Sequence, residues 1–242
     1  MAARVLVLFA RQPGCQARDK GLPAASGERL FAAFARGWAD AATRCGARLI
    51  VATPDSDRSG WRRALPGTRF DLIEQRGSSL GSRLRFAARY AASGGGCVVL
   101  VGGDVAPSAP SLAAAFELRE GSADAVLAPA RDGGVSLVSL REEDLDLLGG
   151  FVPRDAALFR SLCRSLELRS RRVAIVEAAA DVDGRRELRR LLRTASLANA
   201  ELTLLARAVL AEVRDPESRF DLAPSASHDV DSRIPRGPPL AA

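Results

Sequence analysis

Five consecutive apolar residues, Cys97 to Val101, run directly into Gly102, Gly103 and Asp104. An apolar run of this length without polar alternation describes a strand buried on both faces, as in the parallel sheet of an α/β protein. Such a strand delivers its carboxyl end to the crevice where ligands bind. Asp104 stands at that end, beside glycines that let a ligand approach the backbone. Its carboxylate suits a divalent cation held against a phosphate. The same residue would equally close a turn with Gly103 or cap the helix expected near Ser111.

The rest of the chain supplies companions for this strand. Arg4 to Ala10 reads as the first strand, Arg48 to Thr53 as the second and Phe70 to Glu74 as a shorter third. Between the first two, the three- and four-residue spacing of Leu30, Phe31, Phe34, Trp38 and Ala41 predicts an amphipathic helix over 28–45 that packs on the sheet. A serine cap and apolar spacing predict another helix over 80–92. Asp124 to Ala128 and Val135 to Leu140 read as strands joined by the tight turn Arg131 to Gly134, hence as an antiparallel pair. A short helix over 111–118, a helix over 154–168, a last strand over 173–176 and a basic helix over 185–193 complete the pattern. The expected fold is a three-layer α/β/α sandwich with a mixed, mostly parallel sheet. It spans residues 1–195, followed by an added helix over 196–213 and a tail over 214–242. The tail is rich in Pro, Ser, Asp and Arg without periodicity, which predicts disorder.

Several function classes lose support on composition. The chain carries a formal net charge of +6, yet its basic residues are almost all arginines scattered along its length. Aromatics are few and do not interleave with them, so the charge does not describe a nucleic-acid surface. Cys15, Cys45, Cys97 and Cys163 are far apart with no CxxC pair, against structural zinc or a disulfide framework and in keeping with a reducing cytosol. The apolar run near the N-terminus meets Arg11 and not a cleavage site, and no stretch approaches the ~18 apolar residues of a membrane span. A cytoplasmic protein without a membrane partner is expected. The only histidine, His228, falls in the tail, which removes Ser-His-Asp and Cys-His chemistry from the body. Chemistry must come from carboxylates, arginines, Lys20, hydroxyls, backbone amides or a metal.

Candidate residues cluster after the strands. The segment from Arg11 to Gly27 is rich in Gly and Pro and carries Arg11, Arg18 and Lys20. It reads as a long loop, either an ordinary solvated one or a phosphate-binding one. It lacks the GxxxxGK[ST] spacing of a Walker loop, and no GxGxxG follows a strand. Arg76 and Arg83 flank the start of the helix over 80–92 and could face an anion there. Asp132 sits at a hairpin tip, where Asp-Gly is also simply a common turn. Asp181 and Asp183 either reach a metal site or, for Asp183, cap the following helix.

The order of these pieces resembles the small bacterial GT-A-like glycosyltransferases, some of them associated with arsenosugar biosynthesis. That family is related in fold to the nucleotidyltransferases that make molybdenum-cofactor dinucleotides and guanylylated phospholactate. The resemblance covers residues 4 to 194 and rests on five short motifs. These are Phe9 to Arg11 with Pro13-Gly14; Gln75-Arg76-Gly77 with Leu80 to Leu84; Gly103-Asp104; Asp132-Gly133-Gly134; and Asp181-Val182-Asp183. It implies a nucleotide-sugar donor at the carboxyl ends of the first strands, a small-molecule acceptor and a bridging Mg²⁺ or Mn²⁺. By resemblance Asp104 and Asp183 would be metal ligands, and Asp104 and Asp132 would serve the reaction, Asp132 near the acceptor. Arg11, Gly14, Lys20, Gly77, Arg83 and Gly103 would bind the nucleotide.

The chain also departs from the family pattern. A KTRL-like run would place Lys on Ala17 and Arg on Asp19, so Arg18 and Lys20 are out of register. Ser79 replaces an Asp, Pro107 comes one residue late, and Val135 replaces a Tyr. Pro153-Arg154-Asp155 stands for a WST-like element, and Gly184 to Glu187 for TPED. The activity that the resemblance implies is a metal-dependent glycosyl transfer. The alternatives are a nucleotidyltransferase acting on an NTP, and a homologue that keeps the fold and a nucleotide pocket without catalysis.

Overall fold

The computed structural model describes residues 3–152, 155–177, 180–193 and 200–212. Seven strands form one sheet: β1 (Arg4–Phe9), β2 (Arg48–Thr53), β3 (Asp71–Glu74), β4 (Cys97–Gly102), β5 (Ala125–Pro129), β6 (Val135–Leu140) and β7 (Val173–Ile175). Their order across the sheet is β3-β2-β1-β4-β6-β5-β7. β1 pairs in parallel with β2 and β4, and β2 with β3. β6 runs antiparallel to both β4 and β5, while β5 and β7 are parallel. The sheet is thus mixed and mostly parallel, with β6 the reversed strand.

The central strands are covered twice over, as the apolar run of β4 requires. Cys97, Val99 and Val101 join one core with Leu6 and Leu8 of β1, Trp38 of α2 (Ala24–Arg44), Trp61 of α3 (Arg58–Ala64) and Phe116 of α5 (Ala109–Glu120). Val98 and Leu100 face the opposite core with Val5 and Val7, Ala87 and Ala91 of α4 (Leu80–Ala92), and Leu162 and Leu166 of α6 (Leu158–Leu168). This period-two division of β1 and β4 makes the three layers.

A third core lies outside the sandwich. Leu30, Phe31 and Phe34 on α2 pack with Leu188 and Leu191 of α7 (Arg185–Arg193) and with Leu202, Ala206 and Val209 of α8 (Ala200–Glu212). The spacing predicted that α2 would present these residues to the sheet. They form instead a second buried side, because α7 and α8 cover the helix from the outside.

Other boundaries differ for local reasons. Residues 11–27 are not one loop: Pro13 opens a short helix, α1 (Pro13–Asp19), and α2 starts at Ala24. Proline at a first helical position has its fixed φ already in place and no N–H to satisfy. Helix α3 and the 3-10 segment Glu142–Gly150 were not expected at all. Helix α5 extends beyond 111–118 in both directions, and α6 begins at Leu158 within the expected 154–168. Within the expected added helix over 196–213 the described part is α8, while 196–199, residue 213 and the expected disordered tail over 214–242 lie outside the described residues. No helix among the described residues is long and apolar enough to cross a membrane.

Candidate functional site

Strand β1 leads through α2 to β2 and β3 on one side, whereas β4 opens the other half of the sheet. The carboxyl ends of β1 and β4, paired at Phe9 and Gly102, therefore flank the switch point where α/β sheets leave a crevice. A cleft of about 500 Å³ opens there, within the range of small-molecule sites.

Gly103 shapes its floor. The Gly103 N–H donates to the Phe9 carbonyl at 3.1 Å, and a Cβ on Gly103 would lie 2.3 Å from Cβ of Ala10. The absent side chain lets the exit of β4 lie against the exit of β1, and Asp104 follows at the cleft wall. The next residues are pinned. The Trp38 indole donates to the Val105 carbonyl at 2.9 Å from the buried face of α2. Val105 bridges Asp181 in antiparallel fashion, the Val182 N–H donates to the Asp104 carbonyl at 2.9 Å, and the Ala106 N–H to the Ala180 carbonyl at 2.8 Å.

This short ladder explains why 181–183 reads Asp-Val-Asp. In extended backbone alternate side chains point to opposite sides. Val182 is fully buried in the outer core, and Asp181 and Asp183 line the cleft with Asp104. The hairpin between β5 and β6 brings Asp132 to the same place. There the Asp132 carboxylate accepts the Gly134 N–H at 2.8 Å, so it fixes the turn as well as facing the cleft. Gly133 has φ +93°, and a Cβ on it would meet the Ala156 carbonyl oxygen at 2.0 Å. Its own carbonyl accepts the Phe159 N–H at 3.0 Å, locking the hairpin against α6.

Oxygens of Asp132, Asp181 and Asp183 lie within 4.8 Å of one another, a grouping able to hold a metal ion. Burial raises the Asp181 carboxyl to about 6, with the charges of Asp183, Asp132 and Asp104 adding to the effect. The counter-charge is Lys20, at the end of α1. Its ammonium lies 2.6 Å from Asp104 Oδ2 and also contacts Asp183 Oδ1. Burial lowers the Lys20 pKa, but Asp104 and Asp183 outweigh burial and hold it above its ordinary value. All donors are carboxylate oxygens, the chemistry that Mg²⁺ and Mn²⁺ prefer. The ammonium already shows that Asp104 and Asp183 converge on one cation.

The opposite wall is built from α4 and β3. Arg83 and Gln75 line it, with Arg83 donating to Gln75 Oε1 at 3.4 Å and Gln75 donating to the Ala52 carbonyl at 2.9 Å. Ser79 has a defined local task. Its hydroxyl accepts the Ser82 N–H at 3.1 Å and the Ser82 hydroxyl accepts the Ser79 N–H at 2.9 Å, a reciprocal cap on α4.

Arg11 lines the cleft, but carboxylates engage its guanidinium. It donates to Asp57 and to Asp19, both at 2.9 Å, and the hydrogen bond to Asp57 is the main cause of its raised pKa. Gly103 and Lys20 line the cleft, whereas Gly14 and Gly77 do not. Gly14 lies in α1 against Glu28, and Gly77 faces Ser82 at the start of α4. Asp57 is not among the residues singled out from sequence, and Gln75 and Asp19 stand there only as motif positions without a role in the site. Asp57 follows a proline in a run of turn-forming residues, and its partner lies 46 residues earlier. The one local signal of such pairing is Asp19 itself, an acidic residue between Arg18 and Lys20.

Residues 34–153 match the DUF2064 family. Its description is an uncharacterized protein conserved in bacteria. The DUF2064 segment includes Asp104 and Asp132; Lys20 and the Asp181–Asp183 segment lie outside it. No curated protein matches the sequence.

Solved structures share the fold. A protein of Desulfovibrio desulfuricans G20, provisionally assigned as a nucleotide-diphospho-sugar transferase, superposes with a TM-score of 0.73. The two are 23% identical, over 86% of this chain and 96% of that one. Rv0371c of Mycobacterium tuberculosis H37Rv, solved with manganese, has a TM-score of 0.53 at 17% identity, over 79% of this chain and 99% of its own. The inositol-1-phosphate CTP transferase of T. maritima reaches 0.55 at 12% identity, over 89% and 99%. The fold is therefore that of nucleotide-diphospho-sugar transferases and nucleotidyltransferases.

Proposed function

We propose that the chain is a metal-dependent transferase that moves a sugar from a nucleotide-activated donor to a small-molecule acceptor. The observation that carries this reading is the convergence of Asp104, Asp132, Asp181 and Asp183 at the β1–β4 switch point, with one ammonium between Asp104 and Asp183. Four carboxylates beside one lysine repel a diphosphate unless a further cation is present. Asp104 and Asp183 would hold Mg²⁺ or Mn²⁺, with Asp181 and Asp132 close by. The ion, when bound, screens the diphosphate and stabilises the departing nucleoside diphosphate. Gln75 and Arg83 line the wall suited to the nucleoside. Asp132, beside the start of α6, would take the acceptor's proton as the acceptor oxygen bonds to the sugar carbon and the nucleoside diphosphate leaves with the electron pair of the broken C–O bond.

A nucleotidyltransferase must also hold a triphosphate. Here the first loop has become helix α1, Arg11 is engaged by Asp57 and Asp19, and Lys20 by Asp104 and Asp183. That arrangement favours a diphosphate donor. The test is incubation of the full chain and Mn²⁺ with separate panels of nucleotide-sugars and NTPs, with candidate acceptors. Release of nucleoside diphosphate supports glycosyl transfer. Release of pyrophosphate contradicts it in favour of nucleotidyl transfer, and no release with either panel favours the non-catalytic homologue.

A further inference from the structure

Lys20 is the only lysine in a chain with 35 lysine and arginine residues. It lies at the C-terminal end of α1, and its side chain keeps only 17% exposure. The ammonium touches one oxygen of Asp104, at the exit of β4, and one of Asp183, on the segment that pairs with that exit. Two carboxylates from separate segments thus meet one cation, much as they would meet a metal. A compact ammonium on a flexible four-carbon stem fits this position and can leave it. A planar guanidinium, which prefers a fixed fork of donors, suits it less well.

We propose that Lys20 is a displaceable internal cation, which holds Asp104 and Asp183 together without a divalent ion and must swing out for one to bind there. Like charges cannot share the two carboxylates at contact distance. Once displaced, the ammonium remains tethered at the cleft, where the phosphates of an incoming nucleotide become its partners. Metal and nucleotide would then bind more tightly together than either alone, a reciprocal coupling. This inference rests on the metal assignment to Asp104 and Asp183 given above. It does not depend on which group is transferred.

The first test uses Mn²⁺ alone, with the full chain, and reads free Mn²⁺ by electron paramagnetic resonance. Lys20→Met is expected to bind Mn²⁺ at least about tenfold more tightly than the original chain. Lys20→Arg, which keeps the charge, is expected to gain much less. Equal or weaker binding by Lys20→Met overturns the proposal, as does a gain that persists when Asp104→Asn is added. Failure of every form to bind Mn²⁺ also overturns it.

The second test needs no variant. Because Lys20 is the sole lysine, an amine-acylating reagent marks only its side chain and the N-terminus, and mass spectrometry separates the two. Acylation of Lys20 is expected to accelerate several-fold when Mn²⁺ is added, as the ammonium leaves its two carboxylates. An unchanged or slower rate overturns the proposal. A chain that passes both tests but transfers no sugar would refute the glycosyltransferase reading and leave this one standing.

Discussion

The ammonium of Lys20 lies 2.6 Å from a carboxylate oxygen of Asp104, joining the end of the first helix to the end of the central strand. Four carboxylates from three chain segments share that corner of the cleft. Their mutual repulsion is tolerable because Lys20 lies among them and because Trp38 and Val182 hold the backbone from behind. The fold thus maintains a concentration of negative charge at its switch point, where a structural core would gain nothing from it.

Asp181 is the most affected. Burial first, and the neighbouring carboxylates after it, push its carboxyl up to about 6, above the unfolded value near 4. The unfolded chain therefore ionises first, and stability falls as pH rises from about 4 through 6, then levels off. Asp181→Asn is expected to be more stable than the original chain by about 1–2 kcal/mol at pH 7 without metal, and equal to it near pH 4. Thermal melts at the two pH values check this, and added Mn²⁺ should narrow the gap at pH 7.

Asp57 behaves in the opposite sense. Burial raises its carboxyl, but hydrogen bonds from Arg11 and the Gln12 N–H outweigh burial and hold it below the usual carboxylate range. Its contribution is complete above the unfolded value near 4 and is lost as pH falls through the lower folded value. Asp57→Asn is expected to cost about 1–3 kcal/mol at pH 7. Urea denaturation should show the difference shrinking on acidification.

Gly103 is where the ends of β1 and β4 come closest. An added Cβ would lie 2.3 Å from Cβ of Ala10, and both atoms stand on backbone that the sheet fixes. Gly103→Ala is expected to lose about 1–3 kcal/mol and to weaken Mn²⁺ binding by displacing Asp104. Denaturation and metal titration of the same sample test both consequences.

The sheet was legible because its signals are local. The unbroken apolar run of β4, the tight turn before β6 and the serine cap at Ser79 each act over a few residues. Helix α1 was hidden because glycine and proline suggest a loop, although Pro13 is the residue that opens the helix. The double burial of α2 was hidden because Phe31 and Phe34 are apolar whichever layer covers them. In the site, the place of Asp104 at the end of β4 could be read from the apolar run before it. The alternation that turns Asp181 and Asp183 to one side of buried Val182 could not, because it follows from the bridge to Val105, far off in sequence. The partner of Lys20 could not, since Asp183 is 163 residues away. Nor could the role of Asp57, which depends on an arginine at the end of a different strand.

The role of Asp104 as a ligand to the metal that holds the diphosphate is tested most directly by calorimetric titration of UDP and GDP into the full chain, with Mn²⁺ and with chelator, repeated on Asp104→Asn. Binding of a nucleoside diphosphate is expected to need Mn²⁺ and to weaken at least about tenfold in Asp104→Asn. Binding that survives the chelator, or that Asp104→Asn leaves unchanged, would contradict that role.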